Sequence, residues 1–426
     1  MRKFDESVKD TNASVIHSNK SNKKKHSNYV RRNTKDIYKF NLFELCCMSI
    51  ICIILGITIG SIISYNKDMV AGREVSKELR EFILTYNNLV DNYYDKVKEE
   101  ELSEAAISGM INSLEDPYTI YMEKDLSEEF NETVNGSYVG IGVTVQFIEN
   151  GNKVIEMVKN GPAYEAGIKV NDIIVKVDGH DVSKLYGDDL TKYIKGKKGT
   201  KVKIKVLRNG KEKEFVVTRG EIQLDTATSR MIEKDGSKIG YLKIESFSEN
   251  TFKQVKSNLY KLEKDGMESL IIDLRYNPGG HLSQARKILD LFFDKKVILY
   301  QIEEKGKVTK VYSSDRDKTN YPIVILANSE TASASEILIG CLKENYKDLK
   351  IVGETTYGKG TIQKAVELTS GASFKYTTQK WLTPSGKSIN KKGIDPDYKI
   401  ILADEYYYTP NDENDNQLQK ALELLV

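Results

Sequence analysis

The spacing of apolar residues divides the chain into segments with different predicted structures. Residues 45–63 form nineteen consecutive positions without a charged side chain, close to the roughly 20 residues that a membrane-spanning helix needs. Apolar residues at helical spacing predict helices within residues 67–135 and 401–426. Alternating apolar and polar residues predict strands within 136–220, and both patterns occur within 221–400. We therefore expect a multidomain protein with α+β and α/β parts.

The first 41 residues are predicted to be a basic tail. Residues 1–40 carry a net charge of +7, whereas the remainder carries −5, and their Asn, Ser and Lys content is typical of disorder. A nucleic-acid-binding arm would have this charge too, but an apolar span follows directly. Basic residues before a span place the N-terminus in the cytoplasm. We therefore expect a transmembrane anchor over residues 42–65, with everything after it extracytoplasmic.

A cleaved signal peptide is the alternative interpretation of this segment. The basic region before the span is far longer than in a signal peptide, and no small-x-small cleavage site follows it. Cysteine usage is consistent with an exported domain, because Cys341 is the one cysteine after the span and has no partner for a disulfide. No cluster of metal-ligand residues is visible, so we expect neither a metal nor another cofactor.

Residues 136–220 are predicted to form a small β-rich domain. The run Tyr138-Val139-Gly140-Ile141-Gly142-Val143 places glycines between β-forming residues. Backbone N–H groups of such a loop can hold a carboxylate, while the adjoining strand edge pairs with an extended peptide. Asn209-Gly210, between two strand patterns, predicts a hairpin with a tight turn.

Residues 221–400 are predicted to contain a strand-helix-strand unit. A strand over 239–247 and a helix over 250–265 precede a buried strand over 269–275, which ends in Asn277-Pro278-Gly279-Gly280. Ligands collect beyond the carboxyl ends of strands in open α/β sheets, so this glycine loop is a candidate site. The last amphipathic helix, over 416–425, is expected either to pack on this core or to form a dimer contact.

A candidate nucleophile follows a second buried strand, over residues 321–327. Ser333 and Ser335 lie between this strand and a helical pattern that starts at Glu336. Backbone N–H groups at a helix start are unpaired and carry partial positive charge, which suits a serine that forms an oxyanion. The alternative is that both serines are ordinary N-cap residues.

A serine hydroxyl needs a neighbouring base to act as a nucleophile. His281 is the only imidazole whose position competes, because the other three histidines lie in the tail or in a turn. Lys359, between two glycines, is the better candidate, provided that burial or a cationic neighbour lowers its pKa. Gln363, four residues later, can bond an amine without adding charge. A solvated loop lysine is the alternative.

The segment around Lys359 also imitates a phosphate-binding loop. Gly353 and the Gly358-Lys359 pair have the spacing of such a loop, but Gly360 stands where it needs Ser or Thr. The following residues alternate like a strand instead of opening a helix. We therefore discount a nucleotide-binding function.

Three motifs together resemble the carboxyl-terminal processing (tail-specific) proteases over about residues 75–400. These are Ala332-Ser333-Ala334-Ser335-Glu336, Gly358-Lys359-Gly360-Thr361-x-Gln363, and Asp273-Leu-Arg275-Tyr-Asn277-Pro-Gly279-Gly280. Members of that family are Ser-Lys peptidases with an embedded PDZ domain. The resemblance implies that Ser333 is the nucleophile, Lys359 the base and Gln363 its support.

The same resemblance implies further features of the site. The oxyanion hole would combine the N–H of Ala334 with that of Gly279 or Gly280, and the domain of residues 136–220 would be a PDZ domain that recruits substrates with free C-termini. A homodimer formed through the helical region is also implied. The expected function is that of a membrane-anchored serine endopeptidase; the alternative is a catalytically silent PDZ scaffold.

Overall fold

The computed structural model describes residues 49–57, 69–70, 73–314 and 320–426 of the chain. These residues fall into two compact units, which meet in sequence at Lys98 and Glu99. The first unit contains helix α1 over 49–57, strands β1 (Met69–Val70) and β2 (Arg73–Glu74), and helix α2 (Lys77–Asn92). Ser76 begins α2 as its N-cap, because its hydroxyl accepts the N–H of Leu79 at 3.3 Å.

The N-terminal predictions fall mostly outside the described residues. The basic tail of residues 1–41 lies wholly outside them, and the predicted anchor of residues 42–65 is described only over 49–57. Within the described ranges, no helix is long and apolar enough to cross a membrane.

The second unit opens with two helices, as predicted, and with one short strand between them that the apolar pattern did not predict. The elements are α3 (Glu99–Asn112), β3 (Ile120–Met122) and α4 (Lys124–Asn135). A turn precedes β3, where the Asp116 carbonyl accepts the backbone N–H of Thr119 at 3.1 Å. Three residues are too few for alternation to reveal a strand, and β3 forms only because a neighbouring strand of the core pairs with it.

The β-rich part of this unit is a small antiparallel sheet with two short helices. Its elements are β4 (Ser137–Gly140), β5 (Val143–Ile148), β6 (Gly151–Met157), α5 (Pro162–Glu165), β7 (Ile173–Val177), β8 (His180–Asp181), α6 (Gly187–Ile194), β9 (Lys201–Arg208), β10 (Lys211–Thr218) and β11 (Gly220–Gln223). The sheet order is β10-β9-β7-β6-β5, and β4 pairs separately with β11. Strand β5 therefore lies at a sheet edge.

The predicted Asn-Gly hairpin is present between β9 and β10. Asn209 and Gly210 have φ values of +52° and +74°, as a type I′ turn requires. The turn aligns Arg208 with Lys211 and fixes the register of all eight residue pairs.

The larger part of the unit contains two sheets. Its elements are β12 (Ala227–Lys234), β13 (Ser237–Ile244), α7 (Thr251–Lys264), β14 (Ser269–Asp273), α8 (Leu282–Leu289), β15 (Ile298–Glu304), β16 (Lys307–Tyr312), β17 (Ile323–Ala327), α9 (Ala334–Asn345), β18 (Lys350–Gly353), β19 (Thr361–Glu367), β20 (Ser373–Leu382), β21 (Tyr398–Lys399), α10 (Asp404–Tyr408) and α11 (Asn416–Glu423).

The first of these sheets is mostly parallel and covered on both faces. Its order is β12-β13-β14-β17-β18-β21, and every pairing after β12-β13 is parallel. In β14, Leu270 and Ile272 pack in the core with α7, α8 and α9, whereas Ile271 packs in the core with α11. Burial on both faces explains why β14 and β17 are continuous apolar runs in the sequence.

The C-terminal helix packs on this sheet, which decides between the two predicted roles. Leu418, Ala421 and Leu422 of α11 are buried in one core cluster with strands β13, β14, β17 and β18. A buried ion-pair network joins the helix start to the end of β14: the Arg275 guanidinium donates to the carboxylates of Asp273 and Asp415.

The second sheet is antiparallel, with the order β16-β15-β20-β19, and β3 pairs with β20. Ala365 of β19 lies opposite Lys375 of β20, and Gln363 lies opposite Thr377. The Trp381 indole donates to the carbonyl of Lys359 at 2.9 Å. This contact fixes the segment between β18 and β19 against the end of β20.

Candidate active site

Ser333 stands between strand β17 and helix α9, as the sequence predicted, in a strained conformation. Its φ of +57° and ψ of −113° lie in a region that residues with a side chain rarely adopt. Such strain persists only where surrounding contacts enforce it, and it occurs preferentially at functional sites. The strand-to-helix geometry is that of an exposed nucleophile.

Ser335 is buried and has a structural contact instead. Its hydroxyl donates to the carbonyl of Asn277 at 3.1 Å, and its side chain has no exposed surface. Ser333, by contrast, lines a cavity of about 710 Å³. The structure therefore selects Ser333 as the candidate nucleophile.

Lys359 and Gln363 line the same cavity as Ser333. Among the described residues, no hydrogen bond joins the Ser333 hydroxyl to the Lys359 amine. The Nζ atom of Lys359 lies 4.9 Å from the centroid of the Tyr118 ring, so an aromatic face covers one side of it.

The surroundings of Lys359 lower its pKa, so that more of the amine is neutral at a given pH than in an exposed lysine. Burial is the largest cause that lowers its pKa, and the positive charge of Lys375 lowers it further. The negative charges of Glu336 and Asp116 oppose this change, and the resulting pKa is about 8. The sequence analysis required that burial or a cationic neighbour lower the pKa of Lys359, and both lower it here.

Glu336 joins the two candidate catalytic segments, and the sequence had not assigned it a role. Its carboxylate is fully buried and accepts four hydrogen bonds. Oε2 accepts the backbone N–H groups of Ser333 and Lys359, each at 2.8 Å. Oε1 accepts the Gly358 N–H at 2.7 Å and the Thr356 hydroxyl at 2.6 Å. A glutamate three residues after a serine at a helix start is typical of a capping box, and this signal concealed its wider role.

These bonds also exclude a phosphate-binding loop. A P-loop needs free backbone N–H groups to cradle phosphate. Here Glu336 occupies those of Gly358 and Lys359, and the Asn390 side chain accepts the N–H of Gly360 at 3.1 Å. The segment then continues as strand β19, as the sequence predicted.

Gln363 does not bond to Lys359 in the described structure. Its amide nitrogen donates to the hydroxyls of Thr361 at 2.9 Å and Thr377 at 3.1 Å. Thr377 in turn donates to the Asp116 carboxylate at 2.6 Å. This chain of contacts orients the Gln363 amide and adds Asp116, a residue that the sequence analysis did not single out, to the site.

The glycine loop after β14 lies directly against the candidate nucleophile. A Cβ atom on Gly279 would lie 2.8 Å from the Ser333 Cβ and 2.9 Å from the Ala334 nitrogen. The Gly279 N–H is engaged by the Asn277 side chain at 2.9 Å. In the described structure, the N–H groups of Gly280 and Ala334 donate to no protein acceptor. Of the two glycines that the sequence left open, Gly280 therefore has the available donor.

His281 also lines the cavity, but it makes no hydrogen bond to Ser333 in the described structure. Its Nε2 atom is buried without a hydrogen-bond partner. The imidazole therefore lacks the partner contacts that would orient it as a base.

The predicted peptide-binding run is divided among three elements. Tyr138, Val139 and Gly140 belong to β4 and pair with β11, whereas Val143 opens the edge strand β5. Between them, the backbone N–H groups of Ile141 and Gly142 donate to no acceptor in the described part of the chain. A free N–H loop beside a sheet edge has the form of a carboxylate-binding loop for extended peptides.

Three regions of the chain match known families. Residues 238–400 match peptidase family S41, and residues 139–218 match the PDZ domain. Residues 61–126 match the N-terminal domain of the activating protease CtpB.

Curated bacterial relatives extend the similarity to most of the chain. The carboxy-terminal processing protease CtpA of Bacillus subtilis is 40% identical over 321 residues, which cover 75% of this chain and 68% of the relative. CtpB of the same organism is 38% identical over 347 residues, or 80% and 71% of the two chains. A probable CtpA-like serine protease of Staphylococcus haemolyticus is 37% identical over 381 residues, or 88% and 75%.

These matches confirm the family resemblance that the motifs indicated and set aside the catalytically silent scaffold. The chain is a serine-type peptidase with a PDZ domain, and it belongs to peptidase family S41 together with the carboxy-terminal processing proteases.

Proposed function

We propose that Ser333 and Lys359 form the catalytic dyad of this peptidase. The observation that carries the proposal is the partly buried amine of Lys359, with a pKa of about 8, in the cavity that Ser333 lines. A neutral amine accepts the Ser333 proton while Oγ attacks the scissile carbonyl carbon. The ammonium then gives this proton to the leaving amine, which separates as the first product. Neutral Lys359 next takes a proton from water while the water oxygen attacks the acyl carbon. The bond between that carbon and Ser333 Oγ then breaks, and the Lys359 ammonium returns the proton to Oγ.

The oxyanion of each tetrahedral intermediate requires donors that are not otherwise engaged. The N–H groups of Gly280 and Ala334 meet this requirement, and Gly279 holds the loop against Ser333. Losing one such donor costs about 3 kcal/mol of transition-state stabilisation. Gln363 serves as a positioning residue whose carbonyl oxygen accepts a hydrogen bond from Lys359 when substrate is bound.

The PDZ domain recruits substrates by their free C-termini in this proposal. The N–H groups of Ile141 and Gly142 hold the terminal carboxylate, and the substrate extends along the free edge of β5. With the Ser333→Ala full-length protein, a peptide with a free C-terminus should bind at least tenfold more tightly than its C-terminal amide, as fluorescence anisotropy would measure. Equal affinities would refute recruitment through the terminal carboxylate.

The remaining part of the proposal is attachment to the cell membrane with the catalytic domain outside. The uncharged run of residues 45–63 and the basic flank before it support this topology. In α1, the six large apolar side chains are 53–63% exposed, as expected of a surface that lipid would cover. External protease should degrade the catalytic domain of intact cells after wall removal, and the protein should resist carbonate extraction. A protease-protected or carbonate-soluble protein would refute the anchor.

A homodimer through the helical region is also proposed. Helix α2 has no buried residue, and Leu79, Phe82 and Ile83 are each at least 40% exposed. Light scattering of the full chain in detergent should give twice the protein mass of one chain, whereas a single-chain mass would refute it.

Digestion of an unstructured polypeptide by the full-length protein tests the catalytic proposal. The wild type should cleave it, and Ser333→Ala and Lys359→Met should each lose at least 1000-fold in kcat. Lys364→Met, which removes an exposed lysine from the adjoining strand β19, is the matched control and should retain activity. Wild-type activity of either dyad variant would refute the proposal.

A further inference from the structure

A second lysine faces the active-site cavity. Lys375 of β20 lies opposite Ala365 of β19, two positions along the strand from Thr377, which pairs with Gln363. Because side chains two positions apart share one face of a strand, Lys375 faces the same side as Thr377. The small side chain of Ala365 leaves space beside it, and both residues line the cavity with Ser333 and Lys359.

This lysine has no acidic partner in the described structure. Its Nζ atom lies 5.4 Å from the centroid of the Phe130 ring. No Asp or Glu is among the described residues that line the cavity. The Lys375 side chain is half-buried, and burial lowers its pKa. A partly buried cation without a counter-charge is costly, and a bound anion would remove that cost.

We propose that Lys375 binds a carboxylate of the peptide substrate inside the active-site cavity. The inference rests on the proposed proteolytic function and adds a preference for acidic substrates near the cut. A carboxylate suits the site because Lys375 can donate charge-assisted hydrogen bonds to it, while the Phe130 ring excludes water from one side. The carboxylate comes either from an Asp or Glu side chain or from the terminus of a short peptide.

The register of β19 and β20 limits where this carboxylate lies. Gln363 pairs with Thr377, which is two strand positions from Lys375. Two strand positions span about 7 Å. An extended substrate advances about 3.4 Å per residue. Because Gln363 lines the same cavity as Ser333, we place the preferred carboxylate within about three residues of the scissile bond.

Binding of this carboxylate would also change the proton affinity of Lys359. Lys375 opposes protonation of Lys359, whereas Glu336 and Asp116 favour it and the Tyr118 ring covers its amine. A carboxylate on Lys375 cancels the opposing charge. For an acidic substrate, the acidic limb of kcat should therefore lie at higher pH than the acidic limb of kcat/KM, since the former reports the substrate complex.

A set of matched peptides tests this subsite with the full-length protein. Each of the three positions on either side of the cut carries Asp in one peptide and Asn in its partner. Truncated peptides that end at those positions, as free acid or as amide, test whether the bound carboxylate is the C-terminus of a short peptide. Asp/Asn and acid/amide ratios of kcat/KM are measured within each enzyme, so any change in Lys359 itself cancels from the ratio.

The wild type should prefer one carboxylate position by about tenfold or more. Lys375→Met should reduce that ratio to about one, and Lys375→Arg should retain a preference. Lys380→Met removes an exposed lysine of the same strand and should keep the full ratio. Lys375→Gln also removes the charge and replaces the methionine variant if that protein fails to fold.

Two outcomes overturn the subsite: ratios near one in the wild type at every position and terminus, or an unchanged ratio in the Lys375 variants that lack the charge. Failure of the proteolytic proposal is distinct. In that case, the wild type cleaves none of the peptides, or Ser333→Ala cleaves them equally well. A preference confined to internal Asp assigns the carboxylate to a side chain, and one confined to free acids assigns it to the terminus.

Discussion

The Oε2 atom of Glu336 lies 2.8 Å from the backbone nitrogen of Lys359 and accepts its hydrogen bond. The same oxygen accepts the N–H of Ser333, also at 2.8 Å. One buried carboxylate therefore fixes the backbones of both proposed catalytic residues relative to each other. Because a displacement of about 1 Å can cost 100-fold in rate, Glu336 is best described as a positioning residue.

Replacing Glu336 by Gln should impair catalysis more than substrate binding. The amide keeps the size of the side chain but presents N–H donors to backbone N–H groups. We expect kcat to fall about 100-fold with KM nearly unchanged, and the free energy of unfolding to fall by about 3 kcal/mol. Glu330→Gln changes an exposed glutamate and should alter neither. Wild-type kcat in folded Glu336→Gln would contradict the positioning role.

The pH dependence of kcat/KM should change when the charge of Lys375 is removed. Lys359 is an active base only when neutral, so kcat/KM for a peptide without acidic residues should rise about tenfold per pH unit below its pKa of about 8 and level off above it. Lys375→Met removes a cation that opposes protonation, so the pKa of Lys359 rises and the limb moves to higher pH. The limb of Lys380→Met should stay in place. A limb that stays fixed in Lys375→Met would argue against electrostatic coupling of the two amines.

Replacing Gly279 by Ala should impair catalysis, because neighbouring atoms leave no space for a Cβ atom. Its φ is +98°, and a Cβ would lie 2.7 Å from the Ala332 carbonyl oxygen and 2.8 Å from the Ser333 Cβ. We expect Gly279→Ala to lower kcat at least 100-fold by displacing the loop that carries the oxyanion donor. Gly236→Ala is matched for backbone strain, with φ of +86° and nothing within 4 Å of the added Cβ. It should lose stability without losing kcat, and equal kcat losses in both variants would show that strain alone is responsible.

The buried network around Arg275 should contribute to stability. Asp415→Asn replaces one of the two carboxylates that accept hydrogen bonds from the Arg275 guanidinium, whose side chain is 5% exposed, by a neutral amide. We expect the free energy of unfolding in urea to fall by about 3 kcal/mol. Asp412→Asn breaks the Arg230 pair, whose side chains are 44% and 46% exposed, and should cost about 0.5 kcal/mol. Similar losses in both variants would mean that burial does not determine how much these ion pairs contribute to the free energy of unfolding.

The sequence predicted those parts of the site that depend on local chemistry. Ser333 follows a strand and starts a helix, and Lys359 stands between two glycines before a strand, so both positions could be inferred from neighbouring residues. The Asn209-Gly210 hairpin was predictable for the same reason. The pKa of Lys359 could only be stated as a condition, because burial and the charge of Lys375 depend on residues distant in sequence.

Other parts depend on tertiary contacts that local patterns do not contain. Asp116 joins the site through a hydroxyl of β20, and Lys375 is one of many lysines until the sheet register places it in the cavity. The role of Glu336 was concealed because its spacing from Ser333 is also that of a helix cap. The membrane anchor and the cytoplasmic tail stay predictions from composition and charge.

Phosphonylation of Ser333 as a function of pH tests the central claim most directly. A fluorophosphonate probe should label Ser333 of the wild-type full-length protein at a rate that rises about tenfold per pH unit and levels off above pH 8. Lys359→Met should label at least 100-fold more slowly, and His281→Gln should retain the wild-type profile. The same pH-dependent labelling in Lys359→Met, or its loss in folded His281→Gln, would contradict a lysine base.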